Sequence, residues 1–292
     1  MKEQLRIHLA RRLDQFVGSC RDITYSDVEK KIDSLSKRNA ELVKVDANAK
    51  IKRVHKEEGH SLIDYDVHMR FLIKQKNKLY IEEAIEHREA SFYQDRLYND
   101  NEKTVDFSVP APSIEESLND SHEEMAGEMR GFYYDRRKAV QYAEKWWNSY
   151  NPAYKTFEVD CTNFISQCLH AGGSPMRGYP NKGHGWWLQN SQWSFSWAVA
   201  NSLRLYLASS RKGLHARQVQ SPEELLLGDV ICYDFQGDGR FDHNTVVTGK
   251  DANGMPLVNA HTYNSRARYW AYEDSTAYTP NIKYKFFSII SE

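Results

Sequence analysis

The sequence predicts an α+β protein in two domains, and three observations carry that prediction. Apolar residues recur at helical spacing through the first 38 residues. From about Glu41 to Asn101 the texture changes to long alternating runs of strand type. Beyond a Pro-containing acidic stretch, helical patterns alternate with β-branched runs set off by glycine turns. A chain of 292 residues is long enough for two ordinary domains. The expected boundaries are 1–100 for helices followed by a curved antiparallel sheet, 101–130 for a linker, and 131–292 for a second α+β domain.

In the first domain, Leu5, Leu9, Leu13, Phe16 and Val17 mark one helical stripe. Ile32 and Leu35 resume it after a break near Gly18 to Thr24. Leu42-Val43-Lys44-Val45 alternates, and Ser61 to Leu72 follows the turn signal Glu58-Gly59-His60. Lys76-Asn77-Lys78 then separates a run from Leu79 to Tyr93. That run is rich in the helix formers Glu, Ala and Arg. Its flanking turns and its echo of the preceding strand favour a strand. A helix leading into such a sheet resembles cystatin or nuclear-transport-factor architectures, a likeness that fixes no function. Val109-Pro110-Ala111-Pro112-Ser113 and the acidic stretch Glu115 to Glu128 read as linker. Tyr134 to Tyr150 reads as an amphipathic helix carrying Ala139, Val140, Ala143, Trp146 and Trp147.

Composition narrows the function classes. With 39 basic and 40 acidic residues the formal net charge is -1, which gives no global attraction to nucleic acid or anionic membrane. A mean hydropathy of -0.73 and the absence of a long apolar run exclude a membrane-spanning helix. Met1 to Ile7 carries charges where a signal peptide has its apolar core, so a cytoplasmic location is expected. Cys20, Cys161, Cys168 and Cys232 form no dense framework and suit a reducing compartment.

The chemistry is expected at Val159-Asp160-Cys161-Thr162-Asn163-Phe164-Ile165-Ser166-Gln167-Cys168-Leu169. Phe164, Ile165, Cys168 and Leu169 share a helical stripe, with Cys161 at its leading end and Asp160 at the N-cap. The positive pole of a helix lowers a thiol pKa, which makes Cys161 a candidate nucleophile. His243 opens the β-branched run His243 to Thr248, and His261 ends the run Leu257 to Ala260. A thiol on a helix start, a base on one strand and an orienting group on the next form a cysteine-hydrolase constellation. In it Cys161 attacks a carbonyl carbon, His243 moves the proton, and His261, or else Asn259, holds the His243 ring. The Cys161 amide supplies one oxyanion donor, with Tyr154 or Asn148 as candidates for a second. Same-face placement of His243 and His261 requires an odd loop or a bulge between their strands, although Asn253-Gly254 invites a two-residue turn.

Other residues have plainer readings. Trp187 and Trp197 are expected in the core, whereas Trp186, beside Gly185 and near His184, is expected to wall a substrate cleft. Cys168 and Cys232 lie within apolar patterns and read as core. The cysteine spacing lacks a zinc knuckle. Asp234, Asp238 and Asp242 with Gly237 and Gly239 read as a glycine-rich turn rather than a calcium loop. No cofactor and no metal are expected.

Trp146-Trp147-Asn148, Asp160 to Phe164, Gly185-Trp186-Trp187, Ser196-Trp197, Gly228-Asp229-Val230, Asp242-His243 and Ala260-His261-Thr262 occur in one order from about Tyr133 onward. In that order they resemble the putative amidase domain family of Gram-positive bacteria, within the papain-like superfamily near the NlpC-type cell-wall peptidases. The resemblance implies a papain-like (NlpC-type) α+β cysteine hydrolase domain over 131–292. It implies hydrolysis of an amide through a thioester, with a peptide or peptidoglycan fragment as substrate. It also implies that His261 rather than Asn259 takes the orienting role. A papain-like groove that only binds, and acyl transfer by the same Cys-His pair, are the alternatives.

Overall fold

A computed structural model describes residues 1–18, 25–104 and 132–291. The expected linker after residue 104 lies outside the described residues, as do Cys20 and the predicted break between the first two helices.

In chain order the elements are α1 (Lys2–Val17), α2 (Ser26–Lys37), β1 (Ala40–Glu57), β2 (His60–Gln75), β3 (Lys78–Tyr93) and β4 (Arg96–Glu102), then α3 (Arg136–Trp146) and α4 (Cys161–Ala171). There follow β5 (Leu188–Gln189), β6 (Gln192–Trp193), α5 (Phe195–Ala198), α6 (Ala200–Ser209), β7 (Ala216–Val219), β8 (Val230–Asp234), β9 (His243–Lys250), β10 (Pro256–Ala260), β11 (Ser265–Tyr269) and β12 (Lys283–Ile289). The protein is mixed α/β, with extensive antiparallel sheet and few helices. No helix among the described residues is long and apolar enough to cross a membrane.

Two compact units emerge. The first is Met1–Val105 joined by Asp251–Asn253 and Tyr263–Tyr278, and the second takes the remainder. The division is therefore not the serial one expected from composition, because a late segment carrying β11 packs with the early strands. Within the first unit β1, β2, β3 and β11 run antiparallel in that order, and β4 also pairs with β3. The run from 78 to 93 is a strand despite its helix-forming composition. Full pairing with β2 along its length outweighs local propensity. On β2, Ile63, Tyr65, Val67, Met69, Phe71 and Ile73 are all buried, a period-2 face covered by Leu5, Leu9 and Phe16 of α1 and Val28 and Leu35 of α2.

The second unit is an antiparallel sheet in the order β10-β9-β8-β12-β7. Val230, Cys232, Val246, Phe287 and Ile289 point from one face into a core shared with Phe164, Ile165, Cys168 and Leu169 of α4. Cys168 and Cys232 are core residues, and burial pushes both thiols up. The loop after β8 is the glycine-rich turn expected. Asp234 accepts from the amides of Gly237 (2.7 Å), Asp238 (3.2 Å) and Gly239 (2.8 Å). Gly237 has φ 75°, and a Cβ there would stand 2.3 Å from the Asn281 carbonyl oxygen, so glycine is required twice over.

Candidate active site

Helix α4 begins on Cys161, and the turn before it is fixed by side chains. Asp160 holds the N-cap position, but its carboxylate does not cap the helix. Its Oδ1 accepts from the Phe157 amide (3.0 Å) and from Asn163 Nδ2 (2.9 Å), and its Oδ2 meets His261 Nδ1 at 2.7 Å. Capping falls instead to Thr262, whose hydroxyl oxygen accepts from the amides of Asp160 (3.0 Å) and Cys161 (3.1 Å). The expected cap is thus corrected: three donors from other parts of the unit compete for Asp160, and a hydroxyl from beyond β10 takes the first helical amides. Thr262 sits at φ 76°, a conformation that strains a β-branched residue and persists only where its surroundings fix it.

The rest of the motif is also tied down. Asn163 Nδ2 donates to the Lys155 carbonyl (2.9 Å), and Asn163 Oδ1 accepts from Trp197 Nε1 (2.8 Å). Thr162 Oγ1 accepts from Asn244 Nδ2 (3.1 Å). Cys161 Sγ lies 3.7 Å from Thr162 Oγ1, and the Asn244 backbone amide also donates toward it. The residue is 1% exposed. Burial pushes its thiol above the ordinary value, and these donors only partly oppose the rise. The depressed thiol expected at a helix start is therefore not found. Desolvation outweighs the helix dipole.

The two histidines are placed differently from expectation. His243 is buried with its ring against Tyr233 (centroids 5.6 Å apart) and Phe235 (6.1 Å). Asn244, the next residue, turns its carboxamide to Thr162, on the side of α4. Alternation along β9 sends His243 to the opposite face, where its ladder partner is Tyr233. Thr162, the Asn244 backbone amide and the Thr262 hydroxyl all bond the Cys161 sulfur.

His261 is also occupied. Its Nδ1 faces Asp160, its Nε2 lies 2.8 Å from the Trp146 carbonyl, and its ring stacks on Phe164 at 4.0 Å. Both ring nitrogens are thus engaged, one by a carboxylate and one by a carbonyl. It has no nitrogen left to orient His243, which corrects that expectation.

Register gives the physical reason. An odd connection of residues 251–255 joins β9 to β10, with Pro256 opposite Lys250. A bulge between Leu257 and Val258 then shifts the pairing, so Asn259 stands opposite Val246. Either device alone would place His243 and His261 on one face. Together they cancel.

The alternatives fare similarly. Asn259 donates to Glu144 Oε1 (2.9 Å) and accepts from Thr248 Oγ1 (2.8 Å). Tyr154 stacks on Trp197 (6.2 Å) and Asn148 is exposed past the end of α3, and neither bonds Cys161. Trp186 is 0% exposed and donates from Nε1 to Ser166 Oγ (3.0 Å), so it is core and not a cleft wall. His184 is exposed. Trp187 and Trp197 are core, as expected. Sequence reasoning passed over Trp193, half-buried beside the helix start. Phe157 meets it edge-on at 4.9 Å, and Lys155 lies 4.1 Å above its ring. It also missed Thr262 and Asn244, each adjacent to a histidine it had singled out.

The second unit is thus a mixed α/β domain with a hydrogen-bonded thiol at the head of a helix laid on an antiparallel sheet. The chain belongs to the putative amidase domain family, which matches residues 133–287. It is 53% identical over 270 residues to the uncharacterized protein YhbB of Bacillus subtilis (strain 168), covering 91% of this chain and 86% of that one. It is 31% identical over 140 residues to the uncharacterized protein YjcM of the same strain, covering 45% of this chain and 31% of the relative. No solved structure matches. The family's description indicates hydrolysis of amides as the class of chemistry.

Proposed function

We propose that the chain hydrolyses an amide bond through a thioester on Cys161, by papain-like (NlpC-type) chemistry. One observation carries the reading: the Cys161 sulfur opens α4 with three donors aimed at it, Thr162 Oγ1 at 3.7 Å, the Asn244 amide and the Thr262 hydroxyl. Donors of that kind favour a thiolate once desolvation is relieved. In this reading the thiolate attacks the carbonyl carbon, the amine leaves with a proton from His243, and water releases the acid. The proton step requires the head of β9 to rearrange when substrate enters, because alternation holds the His243 ring on the face away from α4 in the free chain. The substrate carbonyl oxygen displaces the Thr262 hydroxyl from the Cys161 amide, and Tyr154 or Asn148 supplies a second donor. His261 positions Asp160 and with it the start of α4 rather than His243. The half-buried Trp193 and the exposed His184 are the side chains proposed to meet a peptide, with wall-derived peptides as the first substrates to try.

A panel of wall-derived peptides incubated with wild type, Cys161→Ser and His243→Ala tests this. Release of amine by wild type, lost in Cys161→Ser and reduced by about 10²–10⁴-fold in His243→Ala, is the expected result. Equal cleavage by wild type and Cys161→Ser would sink the proposal.

A binding role without catalysis is favoured by a different observation: Cys161 is 1% exposed and its amide is already taken by Thr262. Under that reading a thiol-directed probe labels Cys161 no faster than Cys20, and His243→Ala leaves the rate unchanged.

A further inference from the structure

The carboxamide of Asn244 is oriented at a cost. Asn244 is fully buried, its Nδ2 donates to Thr162 Oγ1 at 3.1 Å and points to the Ala200 carbonyl at 3.5 Å, and its Oδ1 meets no hydrogen-bond donor among the described residues. A buried acceptor without a donor is expensive. The opposite amide orientation would let Oδ1 accept from the Thr162 hydroxyl, but it would turn that hydroxyl's hydrogen away from the sulfur. In the orientation present, Thr162 receives a hydrogen bond at its oxygen and keeps its own hydrogen free. The acceptor within reach of that hydrogen is Cys161 Sγ, 3.7 Å away.

We propose that Asn244 and Thr162 form a donor relay onto Cys161. The Asn244 carboxamide fixes the Thr162 hydroxyl as a donor to sulfur, and the Asn244 backbone amide donates to the same atom directly. This rests on the reading of Cys161 as the nucleophile and deepens it, because the relay stabilises the thiolate relative to the thiol. Thr162 and Asn244 are positioning residues: they move no proton in the reaction and touch no substrate. The relay explains why the polar carboxamide is buried beneath the first turn of α4, where an apolar side chain would leave no acceptor stranded.

The test follows Cys161 ionisation in the full chain labelled with [13Cβ]cysteine, its signal assigned by loss in Cys161→Ser. The NMR titration needs no access of a reagent to the buried sulfur. In Thr162→Val the Cys161 midpoint moves to higher pH, in Thr162→Ser it stays near wild type, and in Asn244→Leu it moves in the same direction as in Thr162→Val. Identical midpoints in wild type and Thr162→Val overturn the relay. So does an equal rise in Thr162→Ser, which would mark a packing effect, or a wild-type sulfur that stays un-ionised up to pH ~10 with the chain folded. Should Thr162→Val not fold, Asn244→Leu against wild type carries the same decision. Shifted midpoints without any amide cleavage by wild type would remove the hydrolase reading and leave the relay. Cleavage with unshifted midpoints would do the reverse.

Discussion

Asp160 and His261 form a buried hydrogen-bonded pair, 2.7 Å between Oδ2 and Nδ1, that joins the start of α4 to the end of β10. Both side chains are almost fully enclosed, at 0% and 2% exposure. Removing one partner of such a pair leaves a buried polar group unsatisfied, at a cost of about 1–3 kcal/mol. His261→Leu is expected to lower unfolding free energy by that order, and Asp160→Asn by somewhat less, since an amide keeps part of the bonding to Phe157. The Asp160→Asn/His261→Leu double variant is expected to lose less than the sum of the two. Urea unfolding of the four proteins measures the coupling, and strict additivity would argue against the pair.

The helix start depends on Thr262 as well. Its hydroxyl oxygen serves two amides that no helical carbonyl can reach. Thr262→Val keeps the shape and removes the acceptor, with an expected loss of about 1–2 kcal/mol. Thr262→Ser retains most of the stability. The same two variants separate structure from chemistry. Because the Thr262 hydroxyl also donates to the Cys161 sulfur, Thr262→Val is expected to cleave a peptide with a lower kcat than Thr262→Ser at a temperature where both are folded.

How much of this was legible beforehand depends on the range of the interaction. Helix α4 and the strand identity of residues 78–93 follow from periodicity and turn signals, both local. Cys161 at a helix head could also be read directly. The face of His243 could not, because it depends on the odd loop and the Leu257/Val258 bulge acting together, and a single residue of register reverses every side chain. Trp186 sits beside a glycine turn, which suggests a surface, yet its ring meets Trp197 at 4.9 Å through a contact eleven residues away. Thr262 carries no signature of capping, since its amide partners lie a hundred residues earlier in the chain.

In the first unit, Glu102 gives a pH dependence with a definite sign. Its carboxyl faces a cavity of about 80 Å³ also lined by Arg12, Lys31, Glu86 and Arg268. Burial, reinforced by the Glu86 charge, pushes it up to about 7, against Arg88, Arg268 and Arg12. The folded chain thus holds this proton to higher pH than the unfolded one, so stability falls as pH rises from about 4.5 to about 7. Glu102→Gln abolishes that loss. It is expected to match wild type below the window and to exceed it above pH 7 by at most about 3 kcal/mol. Denaturant midpoints at pH 4, 6 and 8 check this. A gain from Glu102→Gln of the same size at all three would refute the assignment.

Trp186 separates a core role from a substrate-binding one. The ring is enclosed by the second unit's core, and its Nε1 donates to Ser166 Oγ, which in turn donates to the Trp197 carbonyl (2.8 Å). Trp186→Phe removes the indole donor and part of the volume and strands Ser166, for an expected loss of about 2–4 kcal/mol. Trp186→Ala is expected to cost more, about 3–5 kcal/mol. A cleft wall would behave in the opposite manner, raising KM with little change in unfolding. The comparison is made on Trp186→Phe at a temperature where it is fully folded. KM for any cleaved peptide should match wild type there, while Tm is lower. An unchanged Tm with a raised KM would return Trp186 to the cleft.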